Sequence, residues 1–259
     1  MIKEDVKFQN SVVFEGMTSI RSIIKGNEIG CNDRQITKIL FDKEKYSKIA
    51  KNIGYLKAVS NNLGFSVEES TAEELEKMTL GTSHGGIISI AGDRKIPSLC
   101  EESIIVENGF YCMIQGIEDP YNFGYSLRSL YATGCDGIIL PERNWMSAAG
   151  VVARSSAGAS ELFPVFTSSA ESAADLFHKK GYTIVCADER TDNVLGECEL
   201  KKPILLIVGG EKRGISRALL DKTDMLIKIN YAREFNASLS AASATTMFAY
   251  EIMRQNKRK

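Results

Sequence analysis

Residues 203–216 read PILLIVGGEKRGIS, and their reading decides the fold class. An apolar run with no polar alternation follows Pro203 and stops at Gly209-Gly210. A run so short and so uniformly apolar reads as a strand buried on both faces. The glycines at its end allow the backbone to come close to a ligand, and they equally suit a plain turn into a helix. Gly209, Gly214 and Ser216 match three positions of the phosphate loop GxxxxGK[ST], but Ile215 stands where the lysine is required. A nucleoside triphosphatase is therefore disfavoured. Glu211 would repel phosphates and suits a cationic or hydroxyl-bearing ligand.

Similar runs lie on either side. FYCMIQGI (110–117), GIIL (137–140), LFPVF (162–166), YTIVCA (182–187) and MLIKI (225–229) read as further strands. Helical patterns separate them. One runs from about Phe123 to Thr133 and ends at Gly134. A second has Ser168 and Glu171 as a capping box and stops at Gly181. The last runs from about Ser238 to Asn256. Apolar strands alternating with helices predict an α/β fold with a parallel sheet covered on both faces. Ligands of such sheets bind at the carboxyl ends of the strands.

The first part of the chain is a smaller α/β unit. GMTSIRSIIKG predicts a helix from Thr18 or Ser19, and ITKILFD (36–42) a strand. EKYSKIAKNIGYLKAVSNNLG predicts a helix stopped by Gly64. TAEELEKMT predicts a short helix with Thr71 and Glu74 as capping box, and GGIISIAG another strand. Pro, Gly and charges around 93–108 mark a linker. The expected domains are 1–92 and 109–259.

With 259 residues, 44% hydrophobic and 25% charged, the chain reads as an ordinary globular protein. No apolar run reaches membrane-spanning length, and MIKEDVKFQN lacks a signal-peptide core. Six scattered cysteines without a CxxC pair read as reduced thiols in a cytoplasmic protein. Two histidines make a histidine-rich metal centre improbable, and no metal is expected. The net charge of −1 does not announce a nucleic-acid binder. Residues 1–57 nevertheless hold eleven Lys/Arg against seven Asp/Glu, and phosphate binding depends on local charge.

Two more loops could carry chemistry. In QGIEDPYNFGYSLRSLYATG, Arg128 lies one turn beyond Gly124 and would lean back toward Asn122. A cation, an amide and free helix N–H groups would then suit an anion. A surface arginine and a turn asparagine fit the same spacing. In NASLSAASATT (236–246), helical packing explains the alanines. One serine would suffice as a cap, yet Asn236, Ser238, Ser240 and Ser243 crowd the start.

Taken in order, these segments resemble the TrmH (SpoU) family of RNA ribose methyltransferases in the SPOUT superfamily. The resemblance lies in EDPYNFGYSLRSLYATGCDGIILP, RSSAGASELFPV, LLIVGGEKRGIS and IKIN followed by ASLSAASATTMFAYEIMRQ. GMTSI and TSHGGI are similar to the ends of the small ribosomal-protein-like RNA-binding domain that often precedes the catalytic one. The resemblance implies a C-terminal SPOUT domain with a deep trefoil knot, a homodimer through that domain, S-adenosylmethionine as methyl donor, and a 2′-hydroxyl of rRNA or tRNA as acceptor. It places Gly209, Gly210, Ile229 and Leu239 where the backbone holds the methyl donor. It places Asn122, Arg128, Glu211 and Ser238 at polar active-site positions. Ser240 departs from the usual Ser-Leu-Asn of the third motif, with Asn236 nearby.

Overall fold

The computed structural model describes residues 13–80, 84–141, 148–209 and 215–257. The chain forms two compact units. One comprises 1–95 with 144–162, the other 96–143 with 163–259. Residues 148–162 fall in the expected 109–259 domain but group with the first unit. Ala149 and Ala153, on the helix Ala149–Ser155, enter its core beside Phe14, Ile20 and Ile23.

In the first unit β1 (Val13–Glu15), β2 (Ile36–Asp42), β3 (Ser66–Ser70) and β4 (Ile87–Ala91) form a sheet ordered β1-β4-β2-β3. β2 and β3 are parallel, and the other pairs are antiparallel. Helices α1 (Gly16–Glu28), α2 (Tyr46–Leu63) and α3 (Ala72–Met78) accompany it. α2 stops at Gly64, which takes the left-handed conformation as predicted. The Thr71–Glu74 capping box forms as predicted. α1 starts at Gly16, earlier than expected. β1 and β3 were not anticipated. β3 is an edge strand, SVEES, with exposed glutamates and no apolar alternation to reveal it.

The second unit carries the predicted parallel sheet. Its strands are β5 (Phe110–Ile114), β6 (Gly137–Leu140), β7 (Val165–Thr167), β8 (Thr183–Ala187), β9 (Ile204–Val208) and β10 (Met225–Ile227). The order is β10-β8-β9-β5-β6-β7, and every pairing is parallel. β5, β6 and β9 are wholly buried, which is why their sequences do not alternate. Tyr111, Phe177 and Tyr182 pack ring against ring at 4.8–5.9 Å on this sheet. Residues 97–99 cover the free edge of β7: the Leu99 N–H donates to the Thr167 carbonyl at 2.8 Å, and the Thr167 N–H to that of Pro97 at 2.9 Å.

Helix ends differ from expectation where side chains choose the cap. α4 (Pro120–Ala132) starts before Phe123 because the Asp119 carboxylate accepts from the N–H groups of Tyr121 and Asn122, with Pro120 at the first position. The cap of α5 (Ala170–Lys179) is Ser169, not Ser168, and accepts the Ser172 N–H at 3.1 Å. Glu171 makes no capping box; it accepts from the Ser216 hydroxyl at 2.7 Å. Ser216 in turn caps α6 (Arg217–Leu220). α7 (Ala241–Gln255) begins three residues after Ser238 because Ser240 caps it. α7 packs on α4, with the Thr246 hydroxyl donating to Ser129 Oγ at 2.7 Å. Among the described residues, no helix is long and apolar enough to cross a membrane.

Candidate active site

The carboxyl ends of β8, β9 and β10 open into one cleft of about 890 Å³. Its floor is apolar, from Val208, Ile215, Ile227 and Phe248. Its walls come from the segments after β8, after β10 and before α7. Gly209, Ile229, Ser238 and Leu239 all line it. Among the described residues, a Cβ on Gly209 would meet only Ile215 Cγ1, at an ordinary 3.7 Å. Packing among the described residues therefore does not demand glycine there, and its bare face is available to a flat ligand. A cleft of this size, with an apolar floor under polar walls, suits a small-molecule ligand that carries both kinds of surface.

The segment before α7 is folded on itself. The Leu239 N–H donates to the Tyr231 hydroxyl at 3.1 Å, and the Tyr231 and Phe235 rings meet edge to face at 6.0 Å. Ser240 does not line the cleft. Its hydroxyl oxygen accepts the Ser243 N–H at 3.2 Å and lies 3.0 Å from Ser243 Oγ. The crowd of serines thus divides: Ser240 and Ser243 close the helix end, while Ser238 faces the cleft.

Asn122 and Arg128 lie elsewhere on the unit. Asn122 sits in the first turn of α4, half-buried, with its carbonyl accepting from the Ser126 hydroxyl at 2.9 Å. Arg128 is exposed, and no described residue bonds its guanidinium. Neither residue lines the cleft, and no hydrogen bond joins them. Gly210 and Glu211 lie outside the described residues.

Sequence reasoning missed the wall that follows β8. Asp188 N–H donates to the Ile227 carbonyl at 3.1 Å, tying this loop to β10. Arg190 then grips the Asp188 carboxylate through Nε at 2.9 Å and Nη2 at 2.7 Å. These bonds hold the Asp188 carboxyl below its ordinary range. Asp188, Glu189 and Arg190 all line the cleft. The signal was available, since ADER ends a strand on the ligand side of a parallel sheet. Cysteine chemistry has no place here: burial pushes the Cys186 thiol up to about 11, and those of Cys112 and Cys135 above their usual range. Among the described residues no group of acidic, histidine or cysteine side chains is arranged to hold a metal.

Residues 109–250 match the SpoU rRNA Methylase family. The 23S rRNA (guanosine-2′-O-)-methyltransferase RlmB of Shewanella oneidensis is 30% identical over 199 residues, covering 75% of this chain and 80% of that protein. The chain belongs to the SpoU rRNA methylase family. A Staphylococcus haemolyticus protein assigned to the TrmH family of tRNA/rRNA methyltransferases is 32% identical over 144 residues. This alignment spans 55% of the present chain and 57% of that relative. In fold, this SpoU-family chain is similar to the SpoU methyltransferase AviRb of Streptomyces viridochromogenes, solved with the cofactor AdoMet. The TM-score is 0.74 at 19% identity, over 96% of each chain. The SpoU match contains all six strands of the parallel sheet and takes in all three walls of the cleft together with α4.

Proposed function

We propose that the protein transfers the methyl group of S-adenosylmethionine to a ribose 2′-hydroxyl of structured RNA, rRNA or tRNA. The cleft carries this reading: it has the volume, the apolar floor and the bare Gly209 that an adenosine-containing ligand needs. S-adenosylmethionine supplies an electrophilic methyl on a sulfonium. Backbone at Gly209, Gly210, Ile229 and Leu239 holds the donor, and the Glu211 carboxylate favours its positive charge. Ser238 faces the reacting groups.

A ribose hydroxyl is a poor nucleophile and must lie in line with the methyl carbon. Positioning can supply several kcal/mol of the barrier. Arg128 is exposed and bonds no described residue, which leaves its guanidinium for a target phosphate. Arginine stays protonated in proteins, so its role is to grip and polarise rather than to take a proton. Asn122, in the first turn of the same helix, adds an amide to that anion site.

Because Arg128 and Asn122 lie outside the cleft of one chain, a homodimer supplies the missing approach, each site being completed by the partner. A trefoil knot fits the strand order. The chain leaves β9, passes β8 to reach β10 at the edge, and returns to α7 against α4. Residues 1–92 form an RNA-binding domain that selects the substrate, and the protein works in the cytoplasm.

The test is transfer of labelled methyl from S-adenosylmethionine to RNA, with the product mapped as 2′-O-methyl nucleotides. Arg128→Ala is expected to lower kcat about 100- to 1000-fold, the loss typical of a transition-state donor. Undiminished transfer by this variant would remove Arg128 from the site. No binding of S-adenosylmethionine by the wild type would overturn the reading as a whole.

A further inference from the structure

We infer that one side of α2, with Arg21 of α1 beside it, is a docking surface for the phosphate backbone of RNA. The inference rests on the RNA reading above and assigns it a place on the first unit.

Several lysines of this unit are neutralised locally. Lys25, Lys38, Lys45 and Lys77 each have a carboxylate nearby, at 3.2, 3.0, 3.7 and 2.7 Å. Arg21, Lys48 and Lys51 are exposed and have no carboxylate partner among the described residues. α2 has 18 residues, three of them lysine and none acidic. Most of the unit's exposed glutamates lie on β3 and α3, at Glu68, Glu69, Glu73, Glu74 and Glu76, while Glu44 lies in the turn just before α2. Cations without carboxylate partners on a helix that carries no acid of its own are the electrostatic footprint of a polyanion site.

The geometry of α2 puts these groups together. Ile49, Ile53 and Leu56 form its buried stripe. Lys48, Lys51, Asn52 and Tyr55 therefore share the side away from that stripe. Arg21 is fixed against them: its Nη2 donates to Asn52 Oδ1 at 3.3 Å, and its guanidinium lies 5.3 Å from the centre of the Tyr55 ring. An arginine stacked on an exposed tyrosine keeps its remaining donors for phosphate oxygens.

The helix surface beside them is small. Ser47, Gly54 and Ala58 are exposed there, and nothing lies within 4 Å of a Cβ built on Gly54. Glycine weakens a helix interior, and no packing contact among the described residues requires it at this position. A bare strip next to a row of cations lets a sugar-phosphate backbone approach the helix closely. The chemistry is that of nucleic-acid backbone binding, in which cations set the affinity and its salt dependence.

The test uses the full chain and a labelled stem-loop RNA, with binding measured over a range of salt. One triple variant is Arg21→Gln, Lys48→Gln, Lys51→Gln. The control is Lys25→Gln, Lys38→Gln, Lys77→Gln, which removes the same charge from paired sites. The first triple is expected to weaken RNA binding at least about tenfold and to reduce the slope of log affinity against log salt by roughly two to three. The control is expected to stay within about twofold. Equal weakening by both triples, or by neither, would overturn the assignment. Preference of the wild type for phosphatidylserine vesicles over RNA would overturn it as well. S-adenosylmethionine binding by the same samples is measured in parallel, so failure of the docking surface is distinguishable from failure of the methyl-transfer reading.

Discussion

Arg34 and Glu161 lie 127 residues apart in sequence and form a buried ion pair, with Nε 3.1 Å from Oε2. The same carboxylate accepts from Asn32 Nδ2 at 2.5 Å, and Arg94 donates to the neighbouring Ser160 carbonyl at 2.8 Å. This cluster holds the segment 148–162 in the first unit. Arg34 is 1% exposed and also lies over the Phe14 ring, so it cannot follow a lost partner into water. Glu161→Ala would leave a buried, unpaired guanidinium. It is expected to cost about 3–5 kcal/mol, measured by urea unfolding of the full chain.

Gly158 makes the second attachment of that segment. Its φ is +84°, and a Cβ there would lie 1.9 Å from Ser22 Oγ on α1. Gly158→Ala therefore combines left-handed strain with overpacking and is expected to cost roughly 2–4 kcal/mol. A thermal unfolding midpoint unchanged from the wild type would show that α1 and this turn separate readily.

Much of the fold was legible because its signals are local. Gly64 ends α2, Thr71 and Glu74 box α3, and the apolar strands with intervening helices gave the parallel sheet. The attachment of 148–162 was not legible, since nothing near Glu161 points to an arginine 127 residues away. β3 escaped because an exposed edge strand needs no apolar face. Gly209, Ile229, Ser238 and Leu239, singled out by motif resemblance, line the cleft. Asp188 and Arg190 were missed because two neighbouring charges look like any solvated turn until the chain brings them beside β10.

Ser240 separates a structural role from a catalytic one. Serine and asparagine cap helices about equally well, whereas alanine costs about 1 kcal/mol. Ser240→Ala is therefore expected to lower stability by about that amount, and Ser240→Asn to leave it unchanged, in paired denaturation curves. The cap bonds to Ser243 explain the serine without any contact to the cleft. If methyl transfer by Ser240→Asn rises with stability constant, the asparagine of related motifs serves the reaction and not the helix.

Gly54 gives a prediction of opposite sign. It lies inside α2, is exposed, and has open space around its missing Cβ. Gly54→Ala should stabilise the protein by about 0.5–1 kcal/mol through helix propensity. The urea midpoint reads it directly.

His84 sets an acid limit on the first unit. It is buried, and its Nδ1 accepts the Gly86 N–H at 3.2 Å, which requires the neutral ring. Burial, and then the Lys45 charge, pull its pKa below the ordinary histidine value. Glu15, Glu76 and Asp42 oppose this less strongly. The unfolded chain takes up the proton near pH 6.5, before the folded chain does. The stabilisation is thus fully present above about pH 6.5 and declines as the pH falls toward the lowered folded value. The wild type should lose stability as the pH falls below about 6.5, and His84→Gln should lose less, because it carries no titrating ring. Parallel urea midpoints for the two proteins would refute a buried neutral histidine at this position.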